Sequence, residues 1–328
     1  MEIDSKKVDR MSENRSVAFI VGSPRSGTTI LGDILDRHAQ ICQWYEPYFV
    51  WDGYFRDAPN DERTEQECNQ RIRKHICRDF SRYRKKRGCQ LVVDKSPRNS
   101  LKIPFLLEIF PQARFIHILR DGRDVTLSIH KEWKRRENVI EDGTRGHRFN
   151  YAEAARVIKK WLARQPLLRH KIRALWFETH GHFLYKSRHL NRLRWNGVVG
   201  WGPRFRGWEG IFKESSLLQF NAYQWLRCVD NIERFWVKIP EENRLEIRYE
   251  AFITQPDVIV KNILQFLNME VYKEFFHSMP KLKKDNFDKW KKVFTKDQLN
   301  EIHPILTQKL IAWGYEDRHD WHQMNATA

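Results

Sequence analysis

The sequence predicts an α/β domain, a central parallel sheet with helices on both faces and a helical insertion, and three observations carry this. Strand-length apolar runs recur at 16–21, 91–93, 114–119 and 244–248. Between them lie stretches with apolar residues at helical spacing. Strands that alternate with helices favour a parallel sheet covered on both faces.

Element by element, Val-Ala-Phe-Ile-Val at 17–21 reads as a short buried strand stopped by Gly22, and Ile30, Leu31, Ile34 and Leu35 mark the helix after it. The run 91–93 is followed by Asp94-Lys95-Ser96-Pro97, then by a helix with Leu101, Phe105, Leu106 and Ile109 on one face. A third strand, 114–119, stops at Arg120-Asp121-Gly122 and leads into a helix through Val125, Ile129 and Trp133. The strand at 244–248 precedes a helix over about 256–267, and a last helix covers about 296–312. From 138 to 215 the alternation stops. That stretch is basic and Trp-rich and closes on Gly197, Gly200, Gly202, Pro203, Gly207 and Gly210, which reads as an insertion. The expected organisation is a polar tail at 1–15 and a single domain at 16–328 carrying that insertion.

The 328 residues suffice for a full core, and 13% aromatic content excludes a disordered chain. Five cysteines, none in a CxxC pair, argue against a disulfide scaffold or a cysteine-rich zinc module and for a reducing compartment. No run of about 18 apolar residues occurs, so no membrane span is expected. The net charge of +17 is concentrated. Residues 68–90 carry nine basic side chains against Asp79, and 156–206 carry thirteen against Glu178. Each segment reads either as a solvated helix face or as a footprint for an anionic partner.

The strongest local signal is Gly22-Ser23-Pro24-Arg25-Ser26-Gly27-Thr28-Thr29 between strand and helix. A Gly-rich turn at a helix N-terminus aims several N–H groups at one point, which suits a phosphate. Thr28 stands where a nucleotide P-loop has its lysine, which counts against an ATPase, a kinase or a dedicated Mg²⁺ site. Arg120 and Ser128 can converge on a second phosphate, because one ends a strand and the other lies in the second turn of the next helix. Arg123 reads as a surface residue.

These motifs resemble the PAPS-dependent sulfotransferases, where PAPS is 3′-phosphoadenosine 5′-phosphosulfate and PAP the product. Arg25, Ser26, Gly27, Thr28 and Thr29 resemble the family's 5′-phosphosulfate loop, and Arg120 with Ser128 its 3′-phosphate motif. Tyr249, in Arg248-Tyr249-Glu250, resembles the residue near the adenine, and Lys289, in Lys289-Trp290, the C-terminal lysine that reaches the cofactor. The family often has a further basic residue twelve positions after its arginine. Here that position is Glu132, with Lys131 beside it. The resemblance implies a P-loop-like sheet, PAPS as donor and no metal. Lys95 resembles the lysine used against the bridging oxygen. Cytosolic small-molecule members have a histidine base two residues after that lysine, where this chain has Pro97, whereas tyrosylprotein and heparan N-sulfotransferases use a glutamate matched here by Glu46. The expected catalytic set is Arg25, Glu46 and Lys95. His130, His180 and His182 are alternative bases, His180-Gly181-His182 is a weak metal pattern, and His117 reads as a core histidine.

The acceptor is expected to be polar or anionic, a carbohydrate, a glycolipid or an acidic peptide. The insertion, with Trp161, Trp176, Trp195, Trp201 and Trp208 and with Arg192, Arg194 and Arg204, would serve as a ring-stacking, cation-rich cover. The bland alternative is a helical subdomain whose charges face water. No nucleic acid is expected as a partner, and the location expected is cytoplasmic, with at most peripheral membrane contact. The competing functional readings are a P-loop nucleotide kinase and a non-enzymatic polyanion-binding module.

Overall fold

The computed structural model describes residues 16–55, 57–141, 195 and 200–326, with only the backbone course for 136–141 and 324–326. Five strands, β1 (Val17–Val21), β2 (Ile41–Tyr45), β3 (Leu91–Lys95), β4 (Arg114–Leu119) and β5 (Arg244–Arg248), form one sheet in the order β2-β3-β1-β4-β5. Every pairing is parallel, with Ile20 opposite Lys95 and Val21 opposite His117. The expected sheet is present, with β2 added. That strand escapes the sequence reading because Gln43 interrupts its apolar run, yet Gln43 is buried against Gly32, where a Cβ would come within 2.1 Å of its amide nitrogen.

The strand period of two divides the core between the faces. Phe19 and Val21 join Trp44, Phe80, Tyr83 and Phe115 on one side, and Ala18 and Ile20 join Leu31, Ile34, Ile116 and Ile263 on the other. The helices that supply these layers are α1 (Thr28–Leu35), α2 (Gln70–Arg87), α3 (Ile103–Ile109) and α6 (Pro256–Phe266). A third apolar layer joins α4 (Gly122–Glu141), α5 (Leu217–Trp236) and α7 (Lys296–Ala312). The sequence reading leaves α5 unnamed, although its start carries a capping box in which Ser216 and Gln219 bond each other's backbone N–H. No described helix is long and apolar enough to cross a membrane.

The structure corrects several expectations. Cys42 and Cys89, in and beside the neighbouring strands β2 and β3, are joined by a disulfide, so the chain is not free of disulfides. Arg123 is not a surface residue. It is 3% exposed, paired with Asp121 and Glu316, and its guanidinium lies 4.1 Å from the Trp290 ring centroid.

Of the expected insertion only residue 195 and residues 200–215 are described, and there the rings are not displayed. Trp195 and Trp208 are buried against Trp133 and Phe220, and Trp201 packs partly buried against the same layer. Arg204 is buried as well: its backbone N–H and its Nη2 donate to Asp61 at 2.8 and 3.2 Å. The physical reason is packing. The end of the insertion returns into the core between α4 and α5, so its rings fill space there. Trp161, Trp176, Arg192 and Arg194 lie outside the described residues.

Candidate active site

The loop after β1 is fixed before it meets any ligand. Gly22 N–H donates to Ser100 Oγ at 3.0 Å, and the same hydroxyl donates back to the Gly22 carbonyl at 2.8 Å. Ser26 N–H closes a turn onto the Ser23 carbonyl, and both serines are buried. Arg25 takes a left-handed conformation (φ 71°) that leaves its side chain exposed. Gly27, also left-handed (φ 96°), caps α1 without a side-chain hydrogen bond. The first intrahelical bond runs from Leu31 N–H to the Gly27 carbonyl, so the N–H groups of Thr28, Thr29 and Ile30 have no acceptor in the helix. A Cβ at Gly27 would sit 2.4 Å from the Tyr249 ring, so only glycine lets loop and ring approach this closely.

A second set converges from the end of β4. Arg120 Nη1 donates to the Arg25 carbonyl at 3.0 Å and Nη2 to the Asn286 carbonyl at 2.8 Å, while its guanidinium stacks 4.2 Å over the Tyr249 ring centroid. Its Nε is buried and has no hydrogen-bond partner. Arg25 Nε donates to Ser128 Oγ at 3.0 Å, which links the two loops directly. Asn286 donates to the Tyr249 hydroxyl at 2.5 Å and accepts from Lys289 Nζ at 2.5 Å.

The result is a cavity of about 360 Å³ lined by Arg25, Gly27, Thr28, Thr29, Arg120, Ser128, Tyr249 and Lys289, with Ile30, Asp124, Leu127, Lys131 and Asn286. All the residues named from sequence for the nucleotide line it except Ser26, which is buried in the loop turn. Lys131 faces the cavity, while Glu132 turns away to pair with Arg135 at 2.7 Å. Asp124 is the one carboxylate in the lining. Burial pushes its pKa up, against the lowering influence of Arg120. The sequence reading missed Asn286 and Asp124: Asn286 sits in an irregular polar loop, and Asp124 reads only as part of the Arg-Asp-Gly-Arg-Asp turn.

Glu46 and Lys95 form a separate pair outside that lining. They follow and end the adjacent strands β2 and β3, where Glu46 N–H donates to the Lys95 carbonyl. Lys95 Nζ donates to Glu46 Oε1 at 2.5 Å and lies 4.3 Å from the Tyr45 ring centroid. Lys95 is 1% exposed, so it is not an ordinary surface lysine, and the Glu46 side chain is 25% exposed. Glu46 Oε2 has no hydrogen-bond partner among the described residues. Behind the pair, Asp94 accepts from Trp51 Nε1 and Ser96 Oγ, and complete burial pushes its pKa up to about 6.

The other named histidines stand apart. His117 is buried beside Glu246, as a core histidine, and His130 faces the Asn221 amide at 3.1 Å, its pKa lowered chiefly by burial. His180 and His182 lie outside the described residues.

A family model described as the sulfotransferase family matches residues 18–178. The nodulation protein NoeE of Sinorhizobium fredii is 28% identical over 132 residues, 36% of this chain and 32% of that protein. A putative protein-tyrosine sulfotransferase of Caenorhabditis briggsae is 24% identical over 159 residues, 46% of this chain and 55% of that protein. The omega-hydroxy-beta-dihydromenaquinone-9 sulfotransferase Stf3 of Mycobacterium bovis is 27% identical over 173 residues, 34% of this chain and 45% of that protein. The chain thus spans about half or less of the curated relatives it matches.

Proposed function

Because the chain belongs to the sulfotransferase family, we propose that it moves a sulfuryl group from PAPS to an acceptor hydroxyl, or amine, leaving PAP. The observation that carries this reading is the meeting of four separate chain segments around one cavity with two groups of anion-binding side chains. The fit rests on the protein's own atoms. The buried Arg120 Nε lacks a partner, and the first-turn N–H groups of α1 lack acceptors, so both await an anion. PAPS would bring the activated sulfuryl group and a leaving phosphate.

In this reading Thr28, Thr29 and the first-turn N–H groups hold the 5′-phosphate, and Arg25 neutralises charge at the reacting end with a guanidinium that stays protonated. Arg120 Nε, Ser128 Oγ and Lys131 hold the 3′-phosphate, with Lys131 in place of the basic residue expected one position later. Tyr249 packs against the adenine, and Lys289 closes the mouth. Lys95 places its ammonium on the oxygen that bridges sulfur and phosphorus as that bond breaks. Glu46 keeps Lys95 oriented through Oε1 and takes the acceptor proton on Oε2 as the new bond to sulfur forms. Few covalent demands fall on the protein, so the rate comes from positioning and electrostatics.

The acceptor argument changes with the structure. Trp195, Trp201 and Trp208 pack in the core, so ring stacking by these three does not support a sugar acceptor. The relatives named for protein tyrosine and for an omega-hydroxy menaquinone derivative support a hydroxyl acceptor. Isothermal titration tests the donor site. Tight binding of adenosine 3′,5′-bisphosphate without Mg²⁺, well above ATP, is expected, and equal or better binding of ATP with Mg²⁺ favours the kinase reading. An acceptor screen with labelled PAPS over glycolipids, polysaccharides, peptides and phenols then reads the transfer itself.

A further inference from the structure

The basic helix α2 has no part in the cavity, and its charges are not randomly placed. Arg71, Lys74, Arg78, Arg82 and Lys85 are all exposed. At about 100° per residue they fall within about 80° of the helix circumference, and at about 1.5 Å per residue the row is about 21 Å long. The opposite face carries Ile72, Ile76, Phe80 and Tyr83, buried against the sheet. The helix's one acidic residue, Asp79, is buried too. Arg73 and Arg87, off the row, are neutralised by Glu108 and Asp36, whereas none of the five is in an ion pair among the described residues.

The row also has a direction. α2 lies in the crossover from β2 to the parallel strand β3, so it runs antiparallel to both. Its N-terminal end lies at the sheet edge that carries Glu46 and Lys95, and His75 Nδ1 there is 2.9 Å from the hydroxyl of Tyr54, in the segment that continues from Glu46. Neighbouring charges are about 4.5–6 Å apart along the axis, inside the screening length of about 8 Å at physiological salt, so their fields add.

We propose that this row is a docking track for an acidic polysaccharide whose chain runs along α2 toward the Glu46–Lys95 pair, which makes the acceptor of the proposed sulfuryl transfer a linear anionic glycan. This rests on the transfer reading above. The row is one charge wide, between the paired Arg73–Glu108 and Arg87–Asp36 flanks, and a bilayer or a duplex would use a broad patch. It has no apolar side chain to wedge into lipid or anchor a folded protein, and no aromatic ring to stack on unpaired bases.

The test uses the full chain with Arg71, Lys74, Arg78, Arg82 and Lys85 changed together to Gln. A control has five exposed basic residues changed elsewhere, Lys213, Arg234, Lys261, Lys273 and Lys296. Binding to chondroitin sulfate is measured by titration at several salt concentrations. The row variant is expected to bind about tenfold or more weakly, with a shallower salt dependence, and the control within about threefold of wild type. Equal loss in both variants would overturn the track. So would an equal or larger loss, in the row variant, of binding to phosphatidylserine vesicles, polyglutamate or an oligonucleotide, since the occupant would then be of another class. PAP affinity, read in parallel, is expected to be unchanged in both variants. Loss of PAP binding or of all PAPS turnover in the wild type would refute the transfer reading and leave the docking result standing. With a polysaccharide acceptor the row variant is expected to raise KM at constant kcat.

Discussion

The cavity and the Glu46–Lys95 pair sit on the same sheet edge but are built in opposite ways. The cavity draws on four distant segments, and its cations are held largely by backbone carbonyls, as Arg120 is by those of Arg25 and Asn286. The pair comes from two neighbouring strand ends and is held by its own charges and one ring. A site tied to the backbone persists whether or not a ligand is present. A pair held by mutual attraction changes whenever a third charge arrives. The donor end is therefore pre-formed, and the acceptor end is the responsive one.

Four changes would sharpen or break that contrast. Arg25→Ala is expected to have the largest effect, a loss of turnover of about 10²–10³ or more with the melting temperature unchanged, because Arg25 is exposed and supports only Ser128. Steady-state kinetics with a melting scan reads both. Arg204→Ala is the converse. It leaves Asp61 buried with only Arg98 at 3.6 Å, and is expected to cost about 3 kcal/mol of stability in denaturant unfolding while PAP binding is unchanged. Ser128→Ala is smaller. It is expected to weaken PAP about tenfold and adenosine 5′-monophosphate hardly at all, and equal weakening of both would show that the 3′-phosphate lies elsewhere.

Asp94→Asn is the mildest. Burial raises the Asp94 pKa from its ordinary 3.8 to about 6, so in the wild type its contribution to stability is full below about pH 4 and lost as pH rises through about 6. The melting temperature of wild type minus that of the variant is expected to fall between pH 4 and pH 7. A flat difference would show that Asp94 does not titrate there.

The donor end was legible in the sequence because its residues follow strand ends. A stop after an apolar run, as at Val21 or Leu119, marks the C-terminal edge of the sheet, where a motif has one place to go. Lys95 was legible for the same reason. Arg123 and Arg204 were misread because charge in sequence signals exposure, and only the fold reveals that Asp121, Glu316 and Asp61 wait inside. Trp195 and Trp208 misled in the other direction: a tryptophan near glycines looks available for stacking until α5, whose polar start hides its buried face, comes against it. Asn286 carried no signal, since it acts through a loop carbonyl and an amide that bear no pattern.

The pairing of β1 with β3 and β4 has a consequence for how much error the site tolerates. Ile20 is opposite Lys95 and Val21 opposite His117, three residues before Arg120, so two hydrogen-bond ladders set where the loop after β1 stands between those two cations. A slip of β1 by a single residue would carry the loop about 3.3 Å past both and turn Phe19 toward the wrong layer. The sheet thus works as a ruler whose smallest division is about the length of one hydrogen bond. Loop mutations can alter what the site holds, but the spacing between its halves is graduated in the strands, and a drift in that spacing must first break the core.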